Sequence, residues 1–205
     1  AHSPWDDSIT AGAACAAVVH EDGDRMHFFD IWSARWTEVV LPEPHASPQT
    51  RAAGQLALVV ATDVAVVYDA ADTAAHVQPL AGDLVAGGPS PLASFACGEI
   101  LAAVLTDQAF YVYDALLDVW QVQAYDFPPD YAYFSGMIMG ADHTAVVLGR
   151  DDGAPSLNLA YSGVTHGFAH RGDGANRVQG HSELDHGFAG FVGEGDTITG
   201  LLGYS

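Results

Sequence analysis

Two kinds of hydrophobic run alternate along this chain. The first is apolar at nearly every position: GAACAAVV from Gly12, GQLALVV from Gly54, GEILAAVLT from Gly98, DHTAVVLG from Asp142 and DHGFAGFVG from Asp185. Unbroken runs of this length predict strands covered on both faces, since a strand with one face in water alternates instead. The second kind is rich in aromatics and alternates, as in FYVYD ending at Asp114. It predicts a pleated strand that packs large side chains on one side. Short polar turns join the two (HEDGDR, TD, TD, GRDDGAP, GEGD), and their Gly and Asp supply hairpin geometry. No stretch carries a helical hydrophobic stripe, so the expected class is all-β.

The runs repeat. HFFDIWSARW (27–36) and YVYDALLDVW (111–120) each place a Trp six residues after the Asp, as Asp30–Trp36 and Asp114–Trp120. VVYDAADTA has Tyr68-Asp69 with Ala75 in the Trp slot, and LAYSGVTHGF has Tyr161-Ser162 with Phe168 there. LGYS closes the chain with Tyr204-Ser205. Successive elements step by 39, 45, 48 and 43 residues from Asp30. The apolar runs keep a similar period, which lies in the ~40–50-residue range of propeller blades. The expected fold is a small β-propeller of about five four-stranded blades with a repeat of about 43 residues. A single domain would fill 1–205, with units starting near 12, 54, 98, 141 and 184. An Asp or Ser opening each aromatic hairpin can bond backbone amides in its own turn.

The FYVYDALLDVW pattern resembles Kelch-type repeats, in which a Tyr-Asp strand end is followed by a Trp opening the outer strand. The resemblance covers the third and fourth strands of two units and implies a propeller architecture. The Kelch glycine pair is missing from GQLALVV and GEILAAVL. The fifth unit stops at Ser205 after its third strand, and 1–11 is the expected closing strand, with Trp5 of SPWDDSIT in the aromatic slot. A short blade, completion by another chain in a homo-oligomer, and membership of a larger ring are the alternatives.

Charge narrows the partners. The chain has 26 acidic residues against six basic ones, a net charge of −20, and no Lys. Such a surface repels nucleic acid and anionic lipid, and it attracts cations or a basic protein. Adaptation to salt accounts for both the carboxylates and the missing Lys. No apolar run approaches the roughly 18–20 residues of a membrane span. Cys15 and Cys97 lie in apolar runs without zinc-ligand spacing and are expected free and buried. The compartment stays open, with a secreted or extracellular setting favoured.

Three groups of residues are candidates for chemistry. Asp22, Asp24, Asp63, Asp107, Asp151, Asp152 and Asp196 occupy equivalent hairpin turns and would form an acidic ring on one face. Such a ring could hold a divalent cation or a basic partner, although Asp is also simply a good turn residue. Tyr125, Tyr131 and Tyr133 crowd the segment YDFPPDYAYF, where rings could stack on a glycan or pack an interblade loop. His166, His170 and His186 with Asp185 form a histidine-rich tail of metal-ligand type, with HGFAH expected on a strand. Histidines packed between blades are the plain alternative. Arg171-Gly172-Asp173 spells a cell-adhesion tripeptide that matters only on an exposed loop tip. Nucleophile-elbow, P-loop and HExxH motifs are absent. The leading expectation is a non-enzymatic binding propeller, its ligand a glycan, cation or protein on the acidic loop face. The alternatives are a metal-dependent hydrolase or lyase using the histidine tail, and a structural unit of a larger assembly.

Overall fold

The structure is a computed structural model that describes residues 8–20, 23–45, 48–85, 94–125, 133–149, 156–173, 177–184, 187–194 and 197–204. Within these, the side chains of 8, 133–136, 138, 147–149, 156–158 and 170 onward fall outside the description. The first sheet holds β1 (Ser8–Ala11), β2 (Cys15–Val19), β3 (Arg25–Asp30) and β4 (Arg35–Val40). The second holds β5 (Gln49–Ala53), β6 (Leu56–Val60), β7 (Val64–Asp69) and β8 (Ala74–Pro79). The third holds β9 (Phe95–Cys97), β10 (Leu101–Leu105), β11 (Ala109–Asp114) and β12 (Val119–Ala124). β13 (Tyr133–Met139), β14 (His143–Gly149), β15 (Ser156–Ser162) and β16 (Gly167–Asp173) form the fourth. β17 (Arg177–Leu184), β18 (Gly187–Glu194) and β19 (Thr197–Tyr204) form a three-stranded fifth. Every sheet is an antiparallel meander, and the described residues contain no helix.

The unbroken apolar runs are the second strands, and the packing shows why they do not alternate. Leu56, Leu58 and Val60 of β6 cluster with Ala102, Val104 and Tyr111 of the third sheet. Ala57 and Val59, pointing the opposite way, cluster with Cys15, Ala17 and Val19 of the first. The third sheet repeats the division, sending Leu101, Ala103 and Leu105 forward to Val146, Leu159 and Tyr161 of the fourth. Each fully buried Leu or Val contributes roughly 1.5–3 kcal/mol. First strands run side by side, β1 with β5, β5 with β9 and β9 with β13. Fourth strands lie at the far edge, where β4, β8 and β12 alternate between half-buried and exposed. Sheets stacked face to face and sharing one inner side are the blades of a propeller.

Ser8–Ala11 pairs with β2 as the innermost strand of the first sheet, so these four residues belong to that sheet and not to the last. Trp5 lies outside the described residues. The first three sheets each begin one short strand upstream of their apolar run, and those strands (SITA, QTRAA, FAC) carry too little apolar pattern to stand out. Close approach of the inner ends depends on glycine: a Cβ on Gly54, which has φ +53°, would stand 2.6 Å from the Glu99 Cα of the next sheet.

The six-residue spacing follows from the hairpin closing each sheet. Asp30 pairs with Arg35, Asp69 with Ala74, Asp114 with Val119 and Ser162 with Gly167, leaving four-residue loops between. The next rungs outward join Phe29 to Trp36, Tyr113 to Trp120 and Tyr161 to Phe168. Their ring centroids lie 5.1, 5.7 and 4.8 Å apart. The corner carboxylates accept the amides of Trp32, Ala71 and Leu116 at 2.8, 2.8 and 2.9 Å, and Ser162 Oγ accepts that of Val164 at 3.2 Å. The fourth loop residue is left-handed every time: Ala34 (φ 53°), Thr73 (59°), Asp118 (57°) and His166 (52°).

A left-handed L-residue costs roughly 1–2 kcal/mol, while glycine there loses more chain entropy. Ala34→Gly and Thr73→Gly should therefore each raise the unfolding free energy by about 0.5–1 kcal/mol in urea titrations. Loss of stability in both variants would contradict this account of the corner.

Candidate functional site

At the seam between the second and third sheets, three ligand-type side chains converge. Asp72 comes from the 70–73 loop, His76 from β8 and Asp118 from the 115–118 loop across the seam. His76 Nε2 lies 3.0 Å from Asp72 Oδ2 and 3.0 Å from Asp118 Oδ1. One ligand atom from each residue lies within 4.8 Å of the others. Outer contacts hold both carboxylates and the His76 backbone. The Ala74 amide donates to Asp72 Oδ1 at 2.9 Å, Trp120 Nε1 donates to the His76 carbonyl at 3.2 Å, and the Tyr113 hydroxyl donates to Asp118 Oδ1 at 3.0 Å. That hydroxyl holds the Asp118 carboxyl below the usual carboxylate range. Burial, helped by the same bond, pushes the Tyr113 phenol up. Sequence reasoning missed this group because its members sit three, seven and four residues past two different corner aspartates, and no linear motif joins them.

The next seam is built differently. His166 Nδ1 lies 2.8 Å from Asp114 Oδ2, which also accepts the Tyr161 hydroxyl at 2.7 Å. His166 was expected on a strand face shared with Phe168 and His170. It sits instead in the left-handed loop position before β16, bound to the third sheet. His170 lies on β16 opposite Leu159, its side chain outside the description, as are Asp185 and His186. Arg171, Gly172 and Asp173 also belong to β16, so the tripeptide lies on a strand and not at a loop tip.

The acidic turns hold the connections between sheets. Asp24 is half-buried and its carbonyl accepts the Leu41 amide at 2.7 Å. Asp63 is exposed, with Oδ1 2.5 Å from His45 Nδ1, and its carbonyl accepts the Leu80 amide at 2.8 Å. Asp107 Oδ1 accepts the Asp83 amide at 2.9 Å. Asp22, Asp151, Asp152 and Asp196 lie outside the described residues. Tyr125 is half-buried against the third and fourth sheets and donates its hydroxyl to the Thr106 carbonyl. Tyr131 is outside the description, and Tyr133 is described only as the backbone start of β13. Cys15 and Cys97 are free thiols, each pushed up to about 12 by burial.

At the opposite end, the four-residue loops of the first, third and fourth sheets turn large apolar side chains outward. Ile31 and Trp32 are 50% and 65% exposed, Leu116 and Leu117 62% and 41%, and Val164 70%. These positions fall between the corner residue and the left-handed one, where the main chain is occupied by the turn and the side chains face solvent.

A scan against protein-family models and a search of curated proteins found no match. Among solved structures, the chain is similar to Kluyveromyces lactis Hsv2, at 12% identity over 91% of this chain and 59% of that one, with a TM-score of 0.45. A second structure of that protein, with complete loop 6CD, gives 12%, 91%, 58% and 0.46. The N-terminal domain of Nup159 gives 10%, 90%, 56% and 0.39. The chain thus spans less than two thirds of each of these, and the fold assignment stands on the sheets themselves.

Corner carboxylates at one repeat position titrate in opposite directions. A side-chain hydrogen bond from Ser33 holds Asp30 below its ordinary 3.8, whereas burial raises Asp69 above 3.8. Asp30 thus contributes stability that is lost as pH falls through its lowered value, and ionised Asp69 opposes folding as pH rises through its raised one. Between about pH 2 and pH 7, Asp30→Asn should lose ground to wild type with rising pH, and Asp69→Asn should gain it. Urea midpoints across that range test this, and parallel slopes would contradict it.

Proposed function

We propose that this chain is a non-enzymatic interaction module, a single propeller domain of about five blades, Kelch-like in its outer hairpins, that docks a protein partner. The observation carrying this reading is the set of exposed apolar side chains on equivalent loops of the first, third and fourth sheets, Ile31 and Trp32, Leu116 and Leu117, then Val164. Solvent-facing apolar groups gathered at one end of a fold mark contact surfaces, and tryptophan is the residue most enriched at their centres. The chain as a whole is strongly acidic, with a net charge of −20, so the favoured partner offers apolar side chains flanked by Lys or Arg. The acidic turns at the other end, where a ligand was first expected, hold connecting segments at the described positions Asp63 and Asp107.

The test compares wild type with a Trp32→Ser, Leu116→Ser double variant. Proteins enriched on the wild-type chain are identified, and the strongest is titrated against both by calorimetry. The variant should bind at least about tenfold more weakly, the loss expected for hot-spot truncation, with an unchanged circular dichroism spectrum and melting temperature. Equal affinity for both chains would overturn the proposal.

A further inference from the structure

The two histidine seams differ in their charge balance. Between the third and fourth sheets one imidazole, His166, meets one buried carboxylate, Asp114, whose Oδ2 also receives the Tyr161 hydroxyl. Between the second and third sheets one imidazole, His76, faces two carboxylates at once. Two carboxylates from different sheets thus converge on one imidazole nitrogen. The blade does not require them: the positions matching Asp72, Asp118 and His76 in other units are Ser33, Leu117 and Thr165, then Ala34, Thr73 and His166, then Thr37, Gln121 and Ala169.

The spacing has its own meaning. Ligands about 2.1 Å from a metal ion stand roughly 3.0–3.4 Å from one another when adjacent in an octahedral or tetrahedral shell. Both His76 contacts, at 3.0 Å, have hydrogen-bond length, and this is also the length of such an edge. Asp72 and Asp118 keep side-chain exposures of 33% and 57%, leaving a path for entry and room for water to complete the shell. Outer contacts orient the two carboxylates as second-layer groups do in metal sites, the Ala74 amide on Asp72 and the Tyr113 hydroxyl on Asp118, while the His76 ring packs 4.9 Å from that of Tyr113. One imidazole and two carboxylates suit zinc, cobalt or manganese, whereas calcium and magnesium prefer oxygen alone.

We propose that Asp72, His76 and Asp118 bind one divalent transition-metal ion across the seam between the second and third sheets. The ion neutralises the paired acids and ties two blades together through their outer hairpins. The site shares the 115–118 loop with Leu116 and Leu117 but uses different side chains from those proposed to dock a partner.

The test is zinc titration of the full chain by calorimetry in about 0.15 M salt, which screens loose binding to the acidic surface. Asp72→Asn and Asp118→Asn are titrated beside wild type. Asn retains the oxygen that meets the Ala74 amide or the Tyr113 hydroxyl, and it tolerates the left-handed conformation of residue 118. Each variant should take up one zinc equivalent fewer than wild type and lose the zinc-dependent rise in melting temperature that wild type shows. Reading the difference keeps the result independent of zinc held by the histidine-rich tail. Variants that match wild type in both uptake and melting shift would overturn the proposal, as would a wild-type chain that takes up no zinc.

Discussion

A carboxylate taken out of water needs hydrogen-bond donors, and this fold supplies one in the same way at the end of the third strand of its first, second and third sheets. Asp30, Asp69 and Asp114 are buried, each accepting a loop amide two residues on. The loop's first amide reaches back to the turn before the second strand, as Ile31 to the Ala14 carbonyl, Ala70 to Gln55 and Ala115 to Ile100. Burial without these bonds would cost several kcal/mol for each charge, so the loop is confined to one conformation. From that confinement follow the left-handed fourth residue, the aromatic rung one step outward and the projection of the middle side chains into solvent.

The corner also couples neighbouring sheets. Tyr161 precedes the corner of the fourth sheet, yet its hydroxyl donates to Asp114, the corner of the third. Phe28 and Tyr68 stack at 5.2 Å between the first and second sheets, nearly parallel. Apolar packing supplies most of the adhesion between blades, but it is non-directional, and at the seam between the third and fourth sheets the hydroxyl-to-carboxylate bond sets how one blade sits on the next. Both surfaces to which function is assigned hang on this frame. The exposed apolar groups occupy the first three positions of the corner loops, and Asp72 and Asp118 occupy third and fourth positions.

The sheets were legible because burial on two faces leaves an unmistakable mark, the unbroken runs at Leu56 and Leu101. The Asp-to-Trp spacing was legible too, since a four-residue loop puts Trp36 and Trp120 opposite the aromatic before the corner. The short first strands were not, because SITA and FAC are too brief for any period to show. The sites were the hardest to read. Asp72 and His76 are 42 and more residues from Asp118, and only the stacking of two sheets brings them together. His166 looked like a member of a metal-binding tail because its neighbours in sequence are histidines, while its partner in space is a carboxylate on another blade.

The central claim is that the corner carboxylate and the tyrosine of the next blade act as a unit. A double-mutant cycle on Tyr161→Phe and Asp114→Asn, read as unfolding free energies in urea, measures this directly. The account predicts a coupling of about 1 kcal/mol or more, as for a buried bond to a charged acceptor. Effects that add to within about 0.3 kcal/mol would mean that the blades are held by apolar packing alone, and would contradict it.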